Sequence, residues 1–81
     1  MFLDEVTFTV TNNIKFYRDK KYISQQQLAY ACDVSRQTIN SIENGKTMPN
    51  IVLALRIALK LNVGVHSLFQ LLDSDGCHYG G

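Results

Sequence analysis

The sequence predicts an all-α fold, five short helices in one compact domain, with an added N-terminal β-strand. Three observations carry this reading: apolar residues at helical spacing from Asn12 onward, capping residues that punctuate them, and a period-two run ahead of them. Eighty-one residues leave room for a single domain, and a 46% apolar content supplies its core. The expected division is 1–11 for the strand extension, 12–72 for the helical domain and 73–81 for a flexible tail.

In residues 2–11, FLDEVTFTVT, Val6, Phe8 and Val10 fall on one side and Thr7, Thr9 and Thr11 on the other. Such a strand needs a partner, either another strand at a dimer interface or part of the tail. The period then becomes helical. A first helix is expected over Asn12–Lys21, capped by Thr11, with Ile14, Tyr17 and Phe16 inward. Ser24 opens a second helix, and Gln27 completes a capping box with it. Leu28, Ala29 and Cys32 form its inner side, and Asp33 suits the left-handed conformation at its end. Ser35 caps a third helix, Arg36–Asn44, which Asn44-Gly45 stops. Asn50, after Pro49, caps a fourth over Ile51–Leu61 that ends at Asn62. A last short helix is expected over Val65–Leu72.

Several classes of function are excluded. The apolar stretch Ile51–Leu61 is broken by Arg56 and Lys60 and falls far short of the roughly 20 residues that span a bilayer. Asp4 and Glu5 occupy the start in place of a basic, apolar leader, so no secretory signal is expected and a cytoplasmic protein is. Cys32 and Cys77 are isolated, unlike a disulfide framework. Cys77-His78 lacks partners at metal-ligand spacing, and no paired carboxylates or phosphate loop can be assembled, so neither a cofactor nor an enzyme is expected. The net charge of +1 gives no overall basic field. It is segregated, however. Residues 12–60 hold all eight basic side chains against Asp19, Asp33 and Glu43, a balance of 8 − 3 = +5.

The third helix is the informative one. At about 100° per residue, Arg36, Gln37, Asn40, Ser41 and Asn44 share an arc of about 140°, while Ile39 and Ile42 point the other way. Behind a short helix and the Cys32-Asp33-Val34 turn, that polar face makes a helix-turn-helix. Arg can read guanine O6 and N7, and Gln or Asn can pair with adenine N6 and N7.

The stretch SQQQLAYACDVSRQTINSIENGKTMPN carries S-Q-x-x-L-A, V-S-x-x-x-I-x-x-I-E-x-G and a downstream Pro in order. On these motifs residues 13–71 resemble the phage-repressor (XRE-type, lambda-repressor-like) helix-turn-helix family. The resemblance implies that residues 12–72 are a DNA-binding domain, with Arg36, Gln37 and Ser41 at base-reading positions and Asn40 alongside. It implies backbone contacts by Gln25, Ser35, Asn44, Lys46 and Thr47, Gln25 also bracing a base-reading neighbour. It further implies a structural pair between Arg18 and Glu43. Tyr22 and Asp33 stand where the family commonly has Gly, which predicts strain at positive φ. Phe16 replaces a usually polar residue, so something is expected to cover it.

The fourth helix is apolar nearly all round. Beyond the inward Leu53, Ala54, Ile57, Ala58 and Leu61, it carries Val52, Leu55 and Leu59 within an arc of about 60°. A subunit interface is expected there, with Val6, Phe8 and Val10 as further partner surface; a deeper core under the N-terminal strand is the alternative. The sequence therefore predicts a transcriptional regulator, a repressor in its simplest form. It would bind double-stranded DNA as a homodimer, two recognition helices about 34 Å apart, with no membrane or small-molecule effector implied. The competing reading is the DNA-binding antitoxin, or protein-interaction module, of a toxin–antitoxin pair.

Overall fold

A computed structural model of the chain describes residues 9–72 and 78–79. Its elements run β1 (Thr9–Asn12), α1 (Ile14–Lys20), α2 (Gln25–Cys32), α3 (Arg36–Glu43), α4 (Ile51–Leu61), α5 (Val65–Leu68), β2 (Phe69–Leu72) and β3 (His78–Tyr79). Five helices surround a core of Ile14, Leu28, Ala29, Cys32, Ile39, Ile42, Ile57, Ala58, Leu61 and Leu68. Burial of each large aliphatic side chain among these contributes about 2 kcal/mol.

Local chemistry sets most boundaries. The Ser24 hydroxyl accepts from the Gln27 amide while the Gln27 side chain accepts from the Ser24 N–H, closing the expected capping box. Ser35 and Asn50 accept from the N–H groups of Thr38 and Leu53 and so start α3 and α4. The four longer helices end alike, in a left-handed residue at Tyr22, Asp33, Gly45 and Asn62, with φ of 58°, 61°, 73° and 57°. Each is followed by a hydrogen bond back into the last turn: Ile23 to Arg18, Val34 to Ala29, Lys46 to Ser41 and Val63 to Ala58, at 2.9 to 3.0 Å. The positive φ expected at Tyr22 and Asp33 is therefore present in the backbone, and it is strained at Tyr22.

The all-α expectation needs correction. Residues 69–72 do not continue α5; they form β2, which pairs antiparallel with β1 in the register Thr9–Leu72, Val10–Leu71, Thr11–Gln70 and Asn12–Phe69. β3 adds on the far side of β2, giving a three-stranded sheet in the order β1-β2-β3. The reason is twofold. Gly64 offers α5 no side-chain cap, so its single turn is weakly held. Strand pairing meanwhile satisfies backbone groups on both segments at once.

The first helix also starts later than expected. Asn12 ends β1, and its side-chain oxygen accepts from the Ile14 N–H while its amide donates to the Ile42 and Glu43 carbonyls at the end of α3. One side chain thereby ties β1, α1 and α3 together. Phe16, expected inward, is 56% exposed. The Lys20 ammonium lies over its ring at 5.2 Å, and Tyr17 packs edge-on at 5.1 Å.

Candidate nucleic-acid interface

α2 and α3 are joined by the three residues Asp33, Val34 and Ser35, and α3 turns Ile39 and Ile42 into the core. Its opposite face carries Arg36, Gln37 and Asn40, all exposed, with Ser41 half-buried. An open groove of about 340 Å³ follows this face, lined by Ser35, Gln37, Thr38, Ser41 and Thr47. The helix and the loop after it thus form one polar surface.

Behind that surface lies a continuous hydrogen-bond network. The Arg18 and Glu43 side chains are only 9% and 4% exposed, and Arg18 Nε meets Glu43 Oε2 at 2.8 Å. Arg18 also donates Nη1 to the Ile23 carbonyl, holding the α1–α2 turn. Glu43 Oε1 accepts from the Gln25 amide at 3.0 Å, and Gln25 Oε1 accepts from Arg36 Nη1 at 3.2 Å. A buried ion pair therefore orients Gln25, and Gln25 orients an exposed arginine of α3. The hydrogen bond from Arg18 to Glu43 raises the guanidinium pKa despite the opposing effect of burial.

The network sorts the α3 side chains by what they have already committed. Asn40 Oδ1 accepts from both Gln25 and Asn44, which leaves its NH₂ for an external acceptor. Arg36 uses one nitrogen on Gln25. Gln37 has no side-chain hydrogen bond among the described residues, so both ends of its amide face outward free. Ser35 is engaged as the α3 cap and is paired with Thr38 Oγ1 at 2.9 Å.

The basic residues add a positive field. Lys15 pairs with Asp19 at 2.9 Å, and its hydrogen bond lowers the Asp19 pKa. Lys21, Arg36, Lys46, Arg56 and Lys60 have no carboxylate partner among the described residues. Lys46 and Thr47 are exposed in the loop after α3. At three of the four matched helix ends the residue after the left-handed one is apolar, Ile23, Val34 or Val63, and packs on the core. Lys46 alone is polar and turned to solvent.

A family model for the helix-turn-helix matches residues 14–68. The chain belongs to the XRE-type helix-turn-helix family. An uncharacterized HTH-type transcriptional regulator of Methanocaldococcus jannaschii is 39% identical over 64 residues, 79% of this chain and 97% of that one. The ImmF control region 10 kDa protein of Bacillus phage phi105 is 34% identical over 67 residues, covering 78% of this chain and 74% of that protein. Among solved structures, a candidate DNA-binding protein of Bacteroides fragilis superposes with a TM-score of 0.70 at 26% identity, over 75% of this chain and 98% of that chain. The XRE-type motif thus accounts for α1 to α5, and β1 lies ahead of the matched residues.

Within this XRE-type frame the structure brings Gln25, Arg36, Asn40 and Asn44 into one bonded group and places Ser35, Gln37, Ser41 and Thr47 around one groove. Val52, Leu55 and Leu59 lie apart on α4, 53%, 52% and 74% exposed. Ile51, 68% exposed, stands at the start of the same helix. Val10 pairs within its own chain and lines a small cleft with Ile42, Met48 and Phe69. Val6 and Phe8 lie outside the described residues. Asn12 escaped sequence reasoning, because its partners sit 30 and 31 residues away and leave no local signal.

Proposed function

We propose that the protein is a sequence-specific, DNA-binding transcriptional regulator, a repressor that acts as a homodimer on a two-fold operator. The observation that carries this reading is the braced polar face of α3, where Gln25 holds Arg36 in place while Gln37 presents an uncommitted amide. A pre-positioned guanidinium suits guanine, and a free amide suits adenine. Lys46 and Thr47, beside that face, suit the phosphate backbone. Ser41 contributes a hydroxyl at the groove, while Gln25, Ser35 and Asn44 position their neighbours and approach the backbone.

The exposed α4 stripe of Val52, Leu55 and Leu59 supports self-association. A single recognition helix reads few base pairs, and a second copy about 34 Å away doubles the site. A relative named for a phage control region fits a repressor role.

The test is selection of bound sequences from a random duplex library, followed by the mass of the complex in solution. A two-fold consensus held by two chains is expected. Absence of any enriched sequence would refute the proposal, and a palindromic consensus held by one chain would refute the homodimer.

A further inference from the structure

We infer that Tyr22, in the turn between α1 and α2, is a DNA-backbone contact that donates its phenolic O–H to a phosphate oxygen. The inference rests on the DNA-binding reading above and extends it to a residue outside the helix-turn-helix itself.

Tyr22 stands in a left-handed conformation, φ 58°. Asp33, Gly45 and Asn62 occupy the matching position after the other long helices, and these are residue types that accept positive φ readily. Tyrosine is not one of them. Its ring gains nothing from the fold in compensation, because Tyr22 is 93% exposed. The Tyr22 side chain makes no hydrogen bond among the described residues, and the backbone bonds from Tyr22 N to Asp19 O and from Ile23 N to Arg18 O would form equally well with glycine. A strained, uncompensated side chain that the fold does not need points to a contact outside the chain.

Its position names the contact. Tyr22 and Gln25 are three positions apart in the chain, so their Cα atoms lie within about 11 Å. Gln25 in turn touches Arg36 and Asn40 on the outer face of α3. A DNA strand carries a phosphate for every 3.4 Å or so of helix rise, so a strand passing the start of α2 brings one within reach of the Tyr22 ring. Lys21, the preceding residue, is exposed and has no carboxylate partner among the described residues. An O–H donor beside an unpaired ammonium suits a phosphodiester.

The experiment compares wild type, Tyr22→Gly, Tyr22→Phe and the control Tyr30→Ala on the selected operator, with Tm measured for each. Tyr30 is also exposed, 88%, but lies within regular helix. Tyr22→Gly is expected to raise Tm and to weaken binding about tenfold, equally on cognate and mismatched duplexes, as loss of a hydrogen bond to a charged group does. Tyr22→Phe should weaken binding equally. It should also be insensitive to a methylphosphonate at the one phosphate whose neutralisation weakens the wild type. Tyr30→Ala should bind as the wild type does.

Unchanged affinity in Tyr22→Gly overturns the assignment, as does a fall in Tm, which would show that the fold holds the ring. A fall in solution mass with unchanged affinity per half-site would move Tyr22 to a protein contact and overturn it too. Wild-type protein that binds no duplex overturns the DNA reading together with this one, whereas selective wild-type binding that Tyr22→Gly leaves intact overturns this one alone.

Discussion

The Arg18 guanidinium grips the Glu43 carboxylate through two hydrogen bonds, Nε to Oε2 at 2.8 Å and Nη2 to Oε1 at 3.2 Å. Because both side chains are nearly shielded from water, removing one leaves the other as an unpaired buried charge. Glu43→Ala is therefore expected to cost about 3 to 5 kcal/mol in a denaturant titration. The double variant Arg18→Met/Glu43→Leu, which buries no charge, should recover most of that loss. It should not recover DNA affinity, since Gln25 then lacks its acceptor. A double variant as unstable as the single one would contradict this account.

Gln25 and Arg36 should behave as a coupled pair. Arg36→Ala is expected to weaken operator binding by about 1 to 3 kcal/mol and to relax selectivity at one base position. Gln25→Ala should relax the same position to a smaller degree, because it frees the guanidinium that Gln25 Oε1 holds. Binding titrations on the cognate duplex and its single-base variants should give a coupling energy above about 0.5 kcal/mol. Strictly additive effects would mean that the brace is irrelevant in the complex.

The α4 stripe makes a prediction about assembly. Leu59 is 74% exposed and no part of the core cluster, so Leu59→Lys should leave the circular dichroism of the chain intact. Its solution mass should fall to that of one chain at micromolar concentration, and it should bind a full operator less tightly than the wild type does while its affinity for a single half-site is unchanged. A mass unchanged by Leu59→Lys and by Val52→Lys would remove α4 from the interface.

Cys32 tests the core by chemistry. Its side chain is fully buried, and burial pushes the thiol pKa up, with Lys60 and Arg56 pulling weakly the other way. The folded value thus lies above the unfolded one. The neutral thiol stabilises the fold below the ordinary thiol pKa of about 8.5, and that contribution is lost as pH rises through the folded value. In a Cys77→Ser background, a disulfide reagent at pH 8 should label Cys32 only at the rate of opening. Labelling as fast as in denaturant would show that α2 is not packed as described.

The boundaries and caps of α2, α3 and α4 were legible in the sequence because their causes are local, whereas the Thr11 cap expected for α1 was not formed, Thr11 lying in β1. Ser24 and Gln27 are three residues apart, as are Asn50 and Leu53, and α4 runs over the predicted residues Ile51–Leu61. The left-handed end at Asp33 was legible from its residue type, whereas that at Tyr22 was implied by the family resemblance, which commonly places Gly there. The polar face of α3 followed from its period alone.

Other features required the chain to fold first. Val65–Leu72 reads as helix by spacing, yet Phe69–Leu72 is strand because β1, some sixty residues earlier in the chain, offers it an edge. The same holds for Asn12, whose amide reaches carbonyls 30 and 31 residues away. It holds too for the order of the network, Arg18 to Glu43 across 25 residues and Arg36 to Gln25 across 11. Residue types and short spacings determine which backbone conformations and outward faces are available. Strand pairing and buried charge networks depend on which distant groups meet, and no periodicity within a segment carries that information.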